Sequence, residues 1–230
     1  KRRGWRGGEG TAAVTGDRVP TAILSVQIIP NADPALLEKL AAAPGHRSLG
    51  LITTDCDDVS YAALDEATKK AEVSVAYARS MYAGASNAST ALAGEFIGIL
   101  SGPDPEAVRS GLEAAVCFIQ NDAAFVKAND QGTVVYFAHC IARSGSYLSA
   151  QAEVPEGTAL AYLIAPPLEA VTALDAALKS ADVTIRLFYG PPTETNFAGG
   201  LLSGTQPACQ AACEAFAREV RRVAAAPRVL

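Results

Sequence analysis

Two stretches of this chain repeat each other. Ala63-Leu64-Asp65-Glu66-Ala67-Thr68-Lys69-Lys70-Ala71-Glu72-Val73 aligns with Ala173-Leu174-Asp175-Ala176-Ala177-Leu178-Lys179-Ser180-Ala181-Asp182-Val183. Further on, Ser101-Gly102-Pro103-Asp104-Pro105 aligns with Ser203-Gly204-Thr205-Gln206-Pro207, and each leads into an Ala-rich run, 106–120 and 208–225. The copies lie roughly 100–110 residues apart and keep the order of their parts. A duplicated unit carries two similar faces, so it suits surfaces of approximate rotational symmetry. The 230 residues divide naturally into two domains of about 100 residues, near the commonest domain size.

Half of the residues are apolar, enough for a core, but only 7% are aromatic. Packing therefore rests on small side chains set close together. The net charge of −5 argues against nucleic acid as a partner. No apolar run reaches the roughly 18–20 residues that span a bilayer. Residues 1–17 open with a basic, Gly-rich stretch lacking an apolar core, so they read as a disordered tail rather than a secretory signal. Five cysteines, Cys56, Cys117, Cys140, Cys209 and Cys213, are odd in number and irregular in spacing. They are expected to be reduced, mostly buried thiols of a cytosolic protein.

Strand-like and helical patterns interleave along the chain. Residues 21–29 read as a strand, followed by a helix over 35–43 with Asp33 as its cap and Pro34 in its first turn. Residues 48–53, 73–77 and 95–100 read as strands, and 59–70 and 105–120 as helices. The second half repeats this order: strands 133–142, 157–165, 183–188 and 199–202, helices 168–180 and 207–224. The pattern predicts a mixed α/β fold, an α+β sandwich.

Chemistry-bearing residues are few. Asp55, Asp57 and Asp58 precede a helix, where one or two carboxylates are expected to cap it. His46 and His139 belong to no base–nucleophile arrangement, and no phosphate-binding glycine loop is present. Cys209 and Cys213 share a helix face, yet a metal site would need two further ligands. No cofactor, metal or catalytic residue is therefore assigned. Residues 80–90 and 190–198 read as loops of small and polar residues.

Several strings resemble one family closely. They include His46-Arg47-Ser48-Leu49-Gly50-Leu51-Ile52, Thr54-Asp55-Cys56-Asp57-Asp58-Val59-Ser60-Tyr61, Ala93-Gly94-Glu95, Ala123-Ala124-Phe125, Ser144-Gly145-Ser146-Tyr147-Leu148-Ser149, Ala161-Tyr162-Leu163-Ile164-Ala165-Pro166-Pro167 and Glu194-Thr195-Asn196. From about Arg18 to Ala226 the chain is similar to the EutL type of bacterial microcompartment shell protein, which serves ethanolamine utilisation. The resemblance implies tandem, circularly permuted microcompartment domains at 18–128 and 129–226. It implies a homotrimer imitating a hexagon, which tiles with other shell proteins into the wall of a cytoplasmic bacterial microcompartment.

It also implies roles for particular residues. Asp57, Asp58, Glu95 and Phe125 would line a narrow opening where ethanolamine binds, the carboxylates attracting the cation and the ring adding cation–π attraction. Tyr82, Ala83, Gly84 and Ala85, with Glu194, Thr195, Asn196 and Phe197, would form loops gating a central threefold pore. Phe197 would plug that pore and Glu194 would colour it negative. Lys69, Lys70 and Lys179 are placed at tile edges or on solvated helix faces. Two other readings stay open at this point. One is a soluble ethanolamine sensor of the same fold, and the other an acid–base enzyme using Asp57 and Glu95.

Overall fold

The computed structural model describes residues 14–81, 90, 92–191 and 193–228. Tyr82, Ala83, Gly84 and Ala85, expected to gate a pore, and most of the basic tail lie outside them. The first half runs β2 (Ile23–Ile29), α1 (Pro34–Lys39), β3 (Ser48–Thr54), α2 (Asp57–Lys70), β4 (Ser74–Ser80), β5 (Phe96–Gly102) and α3 (Pro105–Asn121). The second runs β7 (Val135–Ile141), α4 (Ser146–Ala152), β8 (Ala159–Ala165), α5 (Pro167–Ser180), β9 (Val183–Tyr189), β10 (Ala198–Gly204) and α6 (Gln206–Ala225). Short strands β1 (Arg18–Val19) and β6 (Phe125–Lys127) complete the list.

The duplication is explicit in the hydrogen bonding. One antiparallel sheet has the order β2-β3-β5-β4 and the other contains β7-β8-β10-β9, the same path. A register shift falls between Val75 and Tyr77 on β4, and its counterpart falls where β10 Leu201 and Leu202 face Leu187 and Ile185 of β9. Strands β1 and β6 pair with each other, and β6 adds to the β7 edge, so the start of the chain is tied to its second half.

The halves share a core. Phe96, Leu64, Val59 and Leu112 pack in one cluster with Phe137, Leu160, Tyr162, Ile164 and Leu201. The alternate residues of β8, Ala161, Leu163 and Ala165, face the other way and bury against α5 and α6. Strand β8 is thus covered on both faces, which explains its unbroken apolar run. The alanines of α5 and α6, among them Ala170, Ala173, Ala177 and Ala212, are fully buried, so these helices approach each other on small side chains, as the composition implied.

The seam between the halves is made by one helix capping another. Asp65 of α2 accepts the backbone N–H groups of Gly145 and Leu148 at 2.7 and 2.8 Å, and Thr68 accepts that of Ser146 at 3.1 Å. Helix α4 has no capping side chain of its own, since Gly145 stands at its N-cap, and α2 supplies the missing acceptors. A Cβ at Gly145 would lie 2.3 Å from Thr68 Oγ1 and 2.5 Å from the Asp65 carbonyl oxygen, so only glycine permits this approach.

Most predicted elements are present; three differ instructively. Helix α4 and the β1–β6 ribbon carry no strong local pattern, and both exist through contacts made far along the chain. Helix α1 stops at Lys39 rather than running to Ala43. Ala41 turns left-handed with φ 51°, and the Ala41 and Ala42 N–H groups bond Glu38 and Leu37 carbonyls at 3.0 Å. That is the bonding of a Schellman motif, with alanine where glycine is usual. Replacing Ala41 with glycine removes the left-handed penalty at some cost in chain entropy. Ala41→Gly is expected to raise unfolding free energy by about 0.5–1 kcal/mol in urea titration, and a loss of stability would refute the assignment of strain.

Candidate functional site

A cavity of about 200 Å³ lies where the halves meet, walled by α2, β4, α4, β8, β9 and the loop after β9. Asp57 and Asp58 belong to the first turn of α2, where the positive helix end favours negative charge. The expected carboxylate cap is not formed. Cys56 holds the N-cap position without a side-chain bond, and Asp55 instead accepts the Ala22 N–H at 2.7 Å. Asp57 and Asp58 are drawn to the cavity wall. Asp57 accepts the Asp58 N–H at 2.9 Å and the Ser80 hydroxyl at 2.8 Å. Asp58 accepts the Tyr162 hydroxyl at 2.7 Å, and the Tyr61 hydroxyl pairs with Ser80 Oγ at 3.0 Å.

The neighbouring residues make this an unusually aromatic polar site. Of the seven tyrosines in the chain, Tyr61, Tyr147, Tyr162 and Tyr189 line the cavity, together with Phe197. Sequence reasoning did not single out these tyrosines, Ser80 or Thr193. The scarcity of aromatics was the available signal, because four of seven tyrosines converge on one place. Glu194, Thr195 and Phe197 from the loop after β9 also line it. Thr193 holds that loop by accepting the Phe197 N–H at 3.1 Å and donating to its carbonyl at 2.8 Å, while Asn196 turns left-handed with φ 62°. The loop carries the side chains to the cavity wall, and Phe197 packs half-buried.

Phe125 stands one layer behind. It is buried, stacks on Phe137 with ring centres 5.5 Å apart, and meets Phe197 edge-on at 5.5 Å. Phe197, not Phe125, presents a face to the cavity. Glu95 sits just before β5, its N–H bonded to the Thr54 carbonyl at 2.8 Å. The turn at Gly94, with φ 64° and no room for a Cβ beside Thr54, brings it within electrostatic reach of Asp58. The structure therefore groups Asp57, Asp58 and Glu95, and sets Phe125 behind them.

Burial pushes the Asp58 carboxyl well above the usual carboxylate range, and the charge of Asp57 adds to this. Burial also raises Asp57, which the Ser80 hydroxyl partly offsets. A carboxyl whose pKa is higher in the fold than in the open chain binds more protons when folded. The stability it confers is complete below its unfolded value and is lost as pH rises toward its folded one. The pair therefore resists double ionisation unless a cation joins it.

The remaining polar candidates lie elsewhere. Cys209 and Cys213 are buried, Cys140 is partly exposed, and Cys117 is exposed. His139 sits between the Phe118 and Phe137 rings, and burial lowers its pKa. Among the described residues no group of His, Cys, Asp or Glu is arranged to hold a metal ion, and no helix is long and apolar enough to cross a membrane.

Asp58→Asn, which keeps an acceptor for Tyr162, is expected to melt at a higher temperature than the parent at pH 7. The gap should close as pH falls below about 4, the ordinary carboxylate value. Melting curves from pH 3.5 to 8 test this, and a gap independent of pH would sink it.

Comparison with known proteins adds an independent line. The BMC domain model matches residues 48–130. The chain is 62% identical over 211 residues to the bacterial microcompartment shell protein EutL of Clostridium perfringens, covering 92% of this chain and 97% of that one. It is 46% identical to the EutL proteins of Salmonella typhimurium and Escherichia coli, covering 92% of this chain and 96% of each. The crystal structure of ethanolamine utilization protein EutL from Leptotrichia buccalis superposes with a TM-score of 0.91 at 60% identity, covering 94% of this chain and all of that one. EtuB from Clostridium kluyveri shares the fold, with a TM-score of 0.72 at 20% identity over 96% and 95% of the two chains.

Proposed function

The chain belongs to the EutL family of bacterial microcompartment shell proteins, and from that premise we propose how its geometry serves a shell. It is a structural protein of an ethanolamine-utilisation microcompartment. In our reading three copies close into a six-sided tile, each tile admits small cations through acid-lined cavities, and the chain has no catalytic activity. The domain limits 18–128 and 129–226 are part of this reading. They are supported by the matching sheet orders, with the β1–β6 ribbon reaching across the boundary.

The observation that carries the trimer is a face used once inside the chain and left open once. On α2 the residues Asp58, Tyr61, Asp65 and Thr68 form one stripe, and all four engage the second half through Tyr162 and α4. The corresponding residues of α5 are Leu168, Val171, Asp175 and Leu178. Leu168 and Val171 are 62% and 52% exposed. The surface that would cover them also has a counterpart. Leu160 and Tyr162 of β8 bury against the first half, whereas the matching Leu49 and Leu51 of β3, with Ile97, form only a small cluster under α1. A second copy's α1 and first sheet would sit on α5 as α4 and the second sheet sit on α2. Such a head-to-tail contact closes into a ring when its rotation divides the circle.

The cavity supports passage or binding of ethanolamine. Its carboxylates attract a small cation, and a cation between them relieves their mutual repulsion. Glu194, Thr195 and Phe197 share this wall, so occupancy of the cavity bears on the loop proposed to gate the central pore. Catalysis by Asp57 and Glu95 is the weaker reading, because Asp57 is committed to Ser80 and the Asp58 backbone.

The pair of changes Leu168→Asp and Val171→Asp is expected to convert a trimer to monomers in sedimentation experiments, with circular dichroism unchanged. A parent chain that is itself monomeric at high concentration would overturn the tile. Asp57→Asn is expected to weaken ethanolamine binding at least tenfold, about 1.4 kcal/mol, as read by calorimetry.

A further inference from the structure

The duplication shows what is missing beside β2. With the first strand of each matching sheet and the cap of each following helix as the frame, Val26 and Ile28 of β2 correspond to Ala138 and Cys140 of β7. Leu112, Val116 and Gln120 of α3 correspond to Cys213, Ala217 and Arg221 of α6. In the second half these positions close on an aromatic ring. Tyr136 is buried, packs in one cluster with Cys213 and Ala217, and carries the Arg221 guanidinium 5.8 Å over its ring. In the first half the Tyr136 position is Leu24 and the Arg221 position is Gln120. There β2 and α3 leave an open groove. Val26, Ile28, Leu112 and Val116 form its apolar floor, with Glu113 and Gln120 beside them, and Val26 is 37% exposed. The second half therefore displays the chemistry that suits this place, an aromatic ring with a guanidinium against it.

The segment before Val14 carries that pair. Trp5 is the only tryptophan of the protein, and Arg3 and Arg6 flank it. Lys1, Arg2, Arg3 and Arg6 stand with one acid, Glu9, in a chain whose net charge is −5. The groove offers the complementary sign. Arg109 is paired with Glu106 along α3, and Glu113 is in no ion pair among the described residues. Helix α3 has no basic residue in its last turn, where the helix end is negative. Arg18 answers that end from β1, donating to the Asn121 carbonyl at 3.1 Å, and Asn121 belongs to the groove.

The geometry of the chain makes the approach short. The Val14 carbonyl accepts the Asp17 N–H at 3.0 Å, so Val14 is turned back beside Arg18 and the groove. From Val14 back to Trp5 is nine residues, a reach of up to about 30 Å. The groove runs along α3 from Arg109 to Asn121, about 18 Å of helix. A tether of this kind gives an effective concentration of about 1 mM, so a contact worth only about 0.1 mM is filled about ten to one.

We propose that residues 1–13 fold back on their own chain and seat Trp5 in the groove between β2 and α3, with the flanking arginines against Glu113. The groove lies on the α3 face of the first sheet, where Gly50 sits under Val108 and Leu112, while α1 covers the other face at Leu49. It is thus separate from the contact proposed to close the tile, and either can fail alone.

Trp5, as the sole tryptophan, reports its own surroundings. Emission of the full chain is expected to be blue-shifted and less quenched by acrylamide than that of a synthetic peptide of residues 1–13. Val26→Glu, checked for unchanged mass and circular dichroism, should return both readings to those of the peptide. Cys117 is exposed and lies in the groove. Its labelling by a maleimide, followed by peptide mass mapping, is expected to run about tenfold faster in Trp5→Ala than in the parent, the ratio of filled to open groove. Emission equal to that of the peptide, a shift that survives Val26→Glu, or Cys117 labelling indifferent to Trp5→Ala overturns the docking. A shift that fades on dilution while the sedimenting mass stays constant places the segment on another molecule and overturns the fold-back.

Discussion

The structure depends on a carboxylate that caps a helix in the other half of the chain. Asp65 supplies the N-terminus of α4 with the acceptors its own sequence lacks. That bond pins α4 against α2, and α4 in turn brings Tyr147 and Gln151 to the cavity. Asp65 is only 1% exposed, so the contact is made away from water, where charge-assisted bonds to backbone N–H groups are strong. Gly145 keeps the two backbones close enough for it. Without this seam the second sheet would lose its cover from the first half, and Tyr162 would lose the Asp58 carboxyl that receives its hydroxyl.

The same seam explains the electrostatics of the site. Burying two adjacent carboxylates is costly unless each is hydrogen-bonded and the charge is shared. Here hydroxyls from β4 and β8 converge on the pair, and the first turn of α2 adds its dipole. The result is a polar pocket satisfied in its hydrogen bonds but carrying more negative charge than it can hold ionised. Its hydrogen bonds are complete without a ligand, and the cation proposed for it would offset the excess charge.

Much of the fold was legible in the sequence, because duplicated helices and strands advertise themselves through repeated strings. Helices α2, α3, α5 and α6 and strands β3, β5, β8 and β10 follow from periodicity and the repeated strings, and the structure adds the caps Asp104 and Thr205 to α3 and α6. Helix α4 was not legible, since its capping group lies 80 residues away at Asp65. The residue pattern alone marked Asp57 and Asp58 as an acidic pair ahead of a helix, and only the family resemblance set them at an opening. Their partners come from β4, α4, β8 and the loop after β9, and no local pattern joins those. Phe125 shows the converse: an aromatic named for the opening stands behind Phe197, because β6 belongs to the second sheet and its side chain enters the common core.

The two halves have kept one architecture and parted in composition. Where the first half places Asp57 and Asp58 at the start of α2, the second places Pro167 and Leu168 at the start of α5. In the proposed tile each half serves one task instead of two. A shell unit made from one repeated domain must give every corner the same lining, so a charge that suits passage would also burden each joint. In the proposed tile one copy serves as the doorway and the other as the mortar, and either can change its residues without spoiling its twin.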